Sequence, residues 1–209
     1  MVKVSRAKGF FFVTRLRWGS NHRLEDLLVS TSRGDSIAFE EFFQQTQLLV
    51  VSYLGRILFD KGSVNDLAQE VYLRTWRSSS SFDPSHSAKT WLLSITHNVA
   101  IDYLRKSSPT TTRLDDTLDD TAVVASKGDF TAVVDLWSAV DSLDLELRSA
   151  FVLTSVLGFS YADAALICGC GLGALKSRLF RARSVLMKRL SETERPDEED
   201  GYITGGIGN

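Results

Sequence analysis

The sequence predicts an all-α protein of two small helical domains joined by a flexible acidic linker. Apolar residues recur at intervals of three and four over most of the chain, whereas the alternation with a period of two that is typical of strands is scarce. Proline occurs only three times, each time where a break between helices is expected. The 209 residues, of which 44% are hydrophobic, are enough to form a core in each domain.

The first domain is predicted over residues 24–106 as a run of helices. These helices are expected at about 24–32, 36–58, 64–77 and 88–106. The N-cap of the second helix is expected at Asp35-Ser36, because either side chain can accept a hydrogen bond from a backbone N–H at the helix start. The serine-rich stretch 78–87, which contains Pro84, has the composition of a loop.

Charge is segregated along the chain, although the formal net charge is only −2. Residues 1–23 carry six Lys or Arg and no acid, and we expect a basic, disordered N-terminal arm there. Residues 107–130 hold five acids and two bases and are predicted to be the linker. The glycine-rich tail, residues 191–209, holds six acids and one base. The sequence leaves open what the arm and the tail do, and whether Met1 is the true start.

The second domain is predicted over residues 131–190, with helices at about 131–143 and 146–157 followed by a helix-turn-helix. Ser160 is the expected N-cap of the first helix of that motif. Three glycines are expected to give the turn its unusual backbone angles: Gly169, Gly171 and Gly173. In the last helix one apolar stripe is formed by Leu172, Leu175, Leu179, Ala182, Leu186 and Leu190.

Polar and cationic side chains occupy the rest of that last helix. The candidate DNA-contacting residues are Lys176, Ser177, Arg178, Arg181 and Arg183. An isolated basic helix would be interpreted as an ordinary solvated surface. Here a narrow alanine-rich helix, a glycine turn and a basic helix follow one another, and this order favours a helix that enters the major groove.

Other classes of function find no support in the sequence. Cys168 and Cys170 are the only cysteines, and their spacing suits neither a disulfide nor a four-ligand zinc site. We interpret both as packing residues, which is consistent with a reducing, cytoplasmic environment. The three histidines are scattered, so no metal site or cofactor is expected. No apolar run reaches the roughly 20 residues of a membrane span. No nucleophile with a base is visible, and an enzyme is not predicted.

The assembled motifs resemble those of the extracytoplasmic-function class of bacterial sigma factors, within the sigma-70 family. The resemblance rests on the segments 38–43, 66–76, 88–106 and 169–183. The segment 66–76, DLAQEVYLRTW, follows the family pattern of acid, Gln-Glu, aromatic, basic residue and Trp. Gly171 stands where the family often has proline, and Ala174-Leu175 replaces a commoner Thr-Val or Thr-Ile. These departures concern promoter specificity.

The resemblance implies roles for particular residues. Asp66, Gln69 and Glu70 would dock on the clamp helices of the largest subunit of core RNA polymerase, and the second domain would meet the flap of the second subunit. Lys176 and its neighbours would read the −35 promoter element. The −10 element would be read and opened by Ser80, Phe82, Ser85, Ser87, Lys89, Asn98, Arg105 and Lys106. An anti-sigma factor is a further expected partner, and Asp115, Asp116, Asp119 and Asp120 would lie in the RNA exit path.

Alternative interpretations remain beside these roles. Asp66 and Glu70 with Arg74 could form only a solvated ladder of charges. Trp76 and Trp91 are interpreted as core residues. Two other classes of protein would have similar helices: a sigma mimic that titrates an anti-sigma factor, and a two-domain repressor or activator with a helical sensor. The cationic recognition helix argues against the mimic, and the segment 66–76 argues against the repressor.

Overall fold

The computed structural model describes residues 22–107 and 130–193, which contain eight α-helices and no strand. The helices are α1 His22–Ser32, α2 Ser36–Ile57, α3 Val64–Ser78, α4 Ala88–Ser107, α5 Phe130–Asp141, α6 Leu145–Phe151, α7 Tyr161–Ile167 and α8 Leu172–Thr193. The predicted all-helical architecture is confirmed. Residues 1–21 of the predicted basic arm, most of the acidic linker with its four aspartates, and nearly all of the acidic tail lie outside the described residues. The last two residues of the predicted arm, His22 and Arg23, instead begin α1.

In the first domain, α1, α3 and α4 surround α2. Phe42, Leu49 and Tyr53 of α2 are fully buried against them. The N-cap predicted at Asp35-Ser36 is Asp35, whose Oδ1 accepts hydrogen bonds from the N–H groups of Ile37 at 2.9 Å and Ala38 at 3.1 Å. This cap satisfies two backbone donors that have no partner inside the helix.

The start of α4 is anchored by a residue from the other end of the domain. The N–H of Ala88 donates to Oε1 of Glu25 at 2.6 Å, and Glu25 is itself buried. A carboxylate suits a helix N-terminus, because the backbone N–H groups and the helix dipole both favour negative charge there. The contact fixes the loop before α4, and therefore the position of the helix on which half of the predicted −10 residues lie.

In the second domain, α5, α6 and α7 pack around α8. The predicted apolar stripe is buried at Leu175, Leu179, Ala182 and Leu186. Its first member, Leu172, is instead 45% exposed, because it lies at the first position of α8, beyond the reach of the neighbouring helices.

Between α6 and α7 the backbone departs from the continuous helix predicted over 146–157. A π-helical turn, Val152–Val156, follows α6, and the N–H of Leu157 closes it by donating to the carbonyl of Val152 at 2.9 Å. The predicted N-cap of α7 is confirmed, because Oγ of Ser160 accepts from the N–H of Asp163 at 3.1 Å.

The glycine-rich turn was predicted only in part. Gly169 has a φ of 59°, a conformation that favours glycine. The expectation for Gly171 and Gly173 was wrong, since neither has a positive φ. The carbonyl of Gly171 already accepts the N–H of Leu175 at 3.0 Å, so α8 begins here and the backbone is helical where a turn was expected.

The two domains pack against each other, and we call this contact the domain junction. Its central group is Arg148 of α6, which is 3% exposed. One guanidinium nitrogen donates to the carbonyl of Ile57 in the first domain at 3.1 Å, and the other donates to the carbonyl of Leu143 at 3.1 Å. The same guanidinium lies 4.2 Å from the centre of the Phe59 ring. Burial lowers the pKa of Arg148 from its ordinary value.

Further contacts extend the domain junction on both sides of Arg148. The Arg56 guanidinium lies 3.3 Å from the centre of the Trp137 ring, a cation–π contact. On the other side, Oγ1 of Thr90 in α4 donates to Oδ1 of Asp163 in α7 at 3.1 Å. The domain junction therefore joins the end of α2 to α5 and α6, and joins α4 to α7.

A buried histidine lies beside this contact. Nδ1 of His97 is 2.7 Å from the hydroxyl of Tyr53, and the side chain is 5% exposed. Burial, and then the charge of Arg178 on α8, lower the pKa of His97 to about 4. The imidazole is therefore neutral at pH 7 in this arrangement. Cys168, at the end of α7, is also near Tyr53, and burial raises the pKa of its thiol to about 12.

We expect acid to destabilise the fold through His97. An unfolded histidine binds a proton below a pKa of about 6.5, whereas the folded one resists protonation down to about pH 4. The stability contributed by the neutral imidazole is therefore complete above pH 6.5 and is lost as the pH falls from 6.5 toward 4. The expected loss at pH 5 is about 2 kcal/mol relative to pH 7.5.

Urea unfolding of the whole chain at the two pH values measures this loss, and His97→Gln is the matched control. The variant keeps a polar side chain but cannot take up the proton, so its free energy of unfolding should change less between the two pH values. An equal change in wild type and variant would contradict the role given to His97.

Candidate nucleic-acid interface

The outward face of α8 presents cations and hydroxyls beside one another. Leu175 and Leu179 hold the helix to its domain, and the side chains on the opposite arc are directed to solvent. The exposed members of the predicted set are Lys176, Ser177, Arg181 and Arg183. The hydroxyl of Tyr161 accepts a long hydrogen bond, 3.4 Å, from the Arg183 guanidinium, which holds that cation toward α7.

Arg178 differs from the other predicted −35 residues. Its side chain is only 17% exposed, and its guanidinium pairs with the carboxylate of Glu146 on α6 at 2.9 Å. It lies on the edge of α8 that faces the domain junction, close enough to His97 to lower the pKa of that imidazole. Arg178 is therefore held within the protein, while Arg181, one turn further along, remains directed to solvent.

Sequence reasoning missed Phe180, which lies within the cationic arc of α8 and is 74% exposed. An aromatic ring this exposed contributes little to the core. Its neighbours in sequence and on the helix face are Arg181 and Lys176. In a major groove such a ring can make an apolar contact with the methyl group of thymine. The sequence did contain a signal for it, because Phe180 is an aromatic residue that lies outside the apolar stripe of the helix.

The predicted −10 residues separate into an exposed group and a buried group. Those directed to solvent are Ser80, Ser85, Asn98, Arg105 and Lys106, and Ser87 is half-buried. Phe82 is buried, with its ring 5.3 Å from that of Trp91. Lys89 is 7% exposed, and burial lowers the pKa of its ammonium. In this arrangement neither Phe82 nor Lys89 can reach DNA, because packing of the loop and of α4 takes both side chains into the interior.

A groove beside the exposed group is lined partly by residues for which the sequence predicted no role: Arg77, Ser78 and Ile95. It has a volume of about 380 Å³ and is lined by Arg74, Arg77, Ser78, Ile95 and Asn98. It lies between the end of α3 and the middle of α4. The Arg77 guanidinium, the Asn98 amide and the apolar side chain of Ile95 are the kinds of group that hold a nucleic-acid backbone and an unpaired base.

The predicted acidic face of α3 forms as expected. Asp66 and Gln69 are exposed, and Glu70 is half-buried. The Arg74 guanidinium donates to Glu70 at 2.8 Å and to Asp102 of α4 at 3.2 Å, and these bonds raise the pKa of Arg74. The ion pair between Glu70 and Arg74, which the alternative interpretation predicted, is therefore present. Asp66 lies one turn earlier, in the first turn of α3.

The same helix also carries exposed apolar groups. Leu73 is 51% exposed and lies three residues after Glu70, on the same face as Gln69. Trp76 is 37% exposed and meets the ring of Phe39 edge-on at 5.0 Å, so the expectation of a core tryptophan was wrong. Trp76 packs at the rim of the domain because α3 is covered on one side only. The acidic face thus has an apolar border, which is common in protein interfaces.

Two kinds of site are absent from the described residues. Within residues 22–107 and 130–193, no group of three or more His, Cys, Asp or Glu is placed to hold a metal ion. In the same part of the chain, no helix has the length and the apolar character needed to cross a membrane.

Comparison with known families finds a match in each domain. The model described as sigma-70 region 2 matches residues 42–110, and the model described as sigma-70, region 4 matches residues 134–186. The first match contains the acidic face of α3 and the groove beside α4. The second contains the helix-turn-helix.

Two relatives found by sequence comparison agree with the family matches. The chain is 37% identical to the ECF RNA polymerase sigma factor SigC of Mycobacterium tuberculosis over 180 residues, which cover 84% of this chain and 93% of that protein. It is 35% identical to EcfG of Rhodopseudomonas palustris over 151 residues, which cover 69% of this chain and 82% of the relative.

Among solved structures, CnrH in complex with the cytosolic domain of CnrY has the same fold, with a TM-score of 0.63 at 21% identity. The match covers 83% of this chain and 99% of CnrH. The sigma factor RpoE of Bartonella quintana, solved with the anti-sigma factor NepR, gives a TM-score of 0.56 at 25% identity and covers 75% of this chain and 99% of RpoE. The chain therefore belongs to the sigma-70 family, within the extracytoplasmic-function (ECF) class of RNA polymerase sigma factors.

Proposed function

We propose that this sigma factor docks on core RNA polymerase through the acidic face of α3 and reads the −35 element with the outward face of α8. As a member of its family it is a transcription initiation factor and not an enzyme. The observation that carries the assignment is the presence, in two domains of one chain, of an exposed acidic face bordered by Leu73 and an exposed cationic recognition helix. Its place of action would be the bacterial cytoplasm.

The docking face would meet the clamp helices of the largest subunit. Asp66 and Gln69 offer an exposed acid and amide, and Leu73 adds apolar area beside them. Interfaces gain affinity from a desolvated apolar anchor and orientation from charged groups around it. The second domain would meet the flap of the second subunit.

Promoter contacts would divide between the two domains. On α8, Lys176, Ser177 and Arg181 would approach the bases of the −35 element, with Phe180 against a thymine methyl group. On the first domain, the groove between α3 and α4 would hold the −10 strand once the bases are unpaired, with Asn98 and Arg77 at its walls. Arg105 and Lys106, which are exposed at the end of α4, would contact phosphates.

An anti-sigma factor is a proposed partner. The two solved relatives above were determined in complex with CnrY and with NepR, respectively. A mimic that only titrates such a partner would have no need of an exposed cationic face on α8. The exposure of Lys176, Arg181 and Arg183 therefore favours a protein that itself binds DNA. Run-off transcription with purified core polymerase on a panel of candidate promoters tests the proposal, and promoter-specific transcripts are expected.

Charge reversal on the docking face should weaken binding to core polymerase. We expect the double variant Asp66→Arg/Glu70→Arg to lose about 2 kcal/mol or more of binding free energy, because paired charges at an interface are lost. The fold should be nearly unaffected, since the Glu70–Arg74 pair is partly exposed and contributes at most about 1 kcal/mol.

The matched control is Asp26→Arg, which reverses an exposed charge on α1. Affinity for core polymerase is measured by fluorescence anisotropy of the labelled chain. Unchanged affinity in the double variant, or an equal loss in the control, would refute docking through α3.

Removal of Arg181 should relax the preference for one or two positions of the −35 element. We expect Arg181→Ala to cost about 1–3 kcal/mol of binding free energy on the preferred sequence and less on others. Arg178→Ala is a matched control on the same helix, because that guanidinium is already paired with Glu146. The measurement is the binding of wild-type and variant holoenzymes to a panel of −35 variants at several salt concentrations. It separates base reading by Arg181 from a contact to phosphates alone. A uniform loss across the panel, with a shallower salt dependence, would mean that Arg181 contacts only phosphates.

A further inference from the structure

The serine-rich loop and the body of α4, which would meet the −10 element, offer almost no positive charge to a ligand. Within residues 78–104, which the structure describes in full, Lys89 is the only Lys or Arg. Lys89 is 7% exposed. Burial lowers the pKa of its ammonium and the carboxylate of Glu25 on α1 acts in the opposite direction, so Lys89 faces α1 and not solvent. The exposed polar residues of the loop are hydroxyls, one acid and one imidazole: Ser80, Ser81, Asp83, Ser85 and His86.

An unpaired DNA strand requires more positive charge than this surface supplies. Proteins that hold such strands combine cations along the phosphates with aromatic rings on which the bases stack. In sequence, the cations that flank the loop and α4 are Arg77 on one side and Arg105 and Lys106 on the other. At 1.5 Å per residue, Arg105 lies about 25 Å along α4 from Ala88. A strand that crosses the serine-rich loop therefore meets hydroxyls there, and no exposed Lys or Arg among residues 78–104.

Residues 1–21 of the basic arm join the domain at this same surface. α1 begins at His22 and packs on the 3₁₀ turn Ser79–Ser81, at the start of the loop. Glu25, in the first turn of α1, accepts the N–H of Ala88 at 2.6 Å, at the end of the loop. Both ends of the serine-rich loop therefore contact α1, and the second contact lies within one helical turn of the residue to which the arm is attached.

The arm has the composition that the loop lacks. Residues 1–21 contain five cations and no acid: Lys3, Arg6, Lys8, Arg15 and Arg17. They also contain four aromatic residues: Phe10, Phe11, Phe12 and Trp18. The five residues from Arg17 to His22 span at most about 18 Å when extended, which is enough for a cation to reach the loop from the start of α1.

We infer that residues 1–21 bind the promoter strand at the −10 element, with their cations on its phosphates and their aromatic rings on its unpaired bases. The inference rests on the proposed function, since it requires the serine-rich loop to lie on the −10 element. The described residues then supply hydroxyls and the groove beside α4, and the arm supplies charge. An anionic membrane is the other surface that suits cations interspersed with aromatic residues. Attachment of the arm beside a loop without an exposed Lys or Arg favours DNA.

The test compares holoenzymes made with three versions of the full chain. The first is the wild type. The second, called the neutral arm, is Lys3→Gln/Arg6→Gln/Lys8→Gln/Arg15→Gln/Arg17→Gln. The third is a matched control in the same segment, Phe10→Ser/Phe11→Ser/Phe12→Ser, which leaves the charge of the arm unchanged. Circular dichroism confirms that each chain is folded.

The quantity measured is affinity for a promoter duplex with an unpaired −10 segment, by fluorescence anisotropy at several salt concentrations. The slope of log affinity against log salt concentration reports phosphate contacts, because each contact to a single strand contributes about 0.7 to it. In the neutral arm the slope should be shallower by about 1.4 or more, which corresponds to at least two lost contacts. The control should bind about threefold or more weakly with the slope of the wild type, because stacking releases no counterions.

A crosslink locates the arm on the promoter. The photoreactive substitution Phe12→p-benzoylphenylalanine is introduced into the full chain, and the holoenzyme is irradiated on the same DNA. Crosslinks to DNA at or next to the −10 element are expected. Crosslinks confined to the polymerase, or to the chain itself, would overturn the inference.

The salt dependence can also contradict the inference. Equal slopes in the wild type and the neutral arm would overturn it, as would an equal change of slope in the control. Flotation of the full chain with vesicles of phosphatidylglycerol and phosphatidylethanolamine tests the alternative. Vesicle binding that is lost in the neutral arm, with an unchanged slope on DNA, would assign the arm to a membrane surface.

Failure of this inference is distinguishable from failure of the proposed function. Run-off transcription with the wild-type chain tests the proposed function, and the absence of promoter-specific transcripts would contradict it. If those transcripts form and the neutral arm has the slope of the wild type, the proposed function stands and the role given to residues 1–21 is refuted.

Discussion

The position of one domain on the other depends on the guanidinium of Arg148. It is almost completely buried, and it reaches the carbonyl of Ile57 at the end of α2 while keeping a hydrogen bond to Leu143 in its own domain. A buried cation needs partners at defined positions, whereas apolar side chains tolerate sliding. The other junction contacts, Arg56 on Trp137 and Thr90 to Asp163, follow once this register is set.

Burial and pairing separate the cations that hold the structure from those available to ligands. Arg74, Arg148 and Arg178 hold acids or carbonyls within the protein. Lys176 and Arg181 remain exposed on the recognition helix. The same distinction applies to carboxylates: Glu25 caps α4, whereas Asp66 stays on the surface. The proposed function therefore uses charged groups that lie outside the internal network.

Local features could be predicted from the sequence. The Asp35 and Ser160 caps depend on residues two and three positions away, and the stripe from Leu175 to Leu186 depends on helical period alone. Contacts between distant segments could not be predicted from the sequence. The hydrogen bond from Arg148 to Ile57 and the burial of Lys89 both depend on how the helices pack. The backbone at Gly171 and Gly173 was mispredicted because glycine permits unusual angles without requiring them. Phe180 was missed for another reason. The helical period identifies apolar residues on the buried face of α8, whereas Phe180 lies on the exposed face.

The central claim is that the Arg148 guanidinium holds the two domains in register, and Cys168 reports on it directly. Its thiol lies near Tyr53 at the domain junction, where burial raises its pKa to about 12, and only the thiolate reacts with alkylating reagents. The alkylation rate of Cys168 is measured by mass spectrometry in the full chain with Cys170→Ser, with and without Arg148→Met, and circular dichroism checks that both proteins are folded. The account predicts slow alkylation when Arg148 is present and at least tenfold faster alkylation in Arg148→Met. Equal rates in the two folded proteins would contradict it.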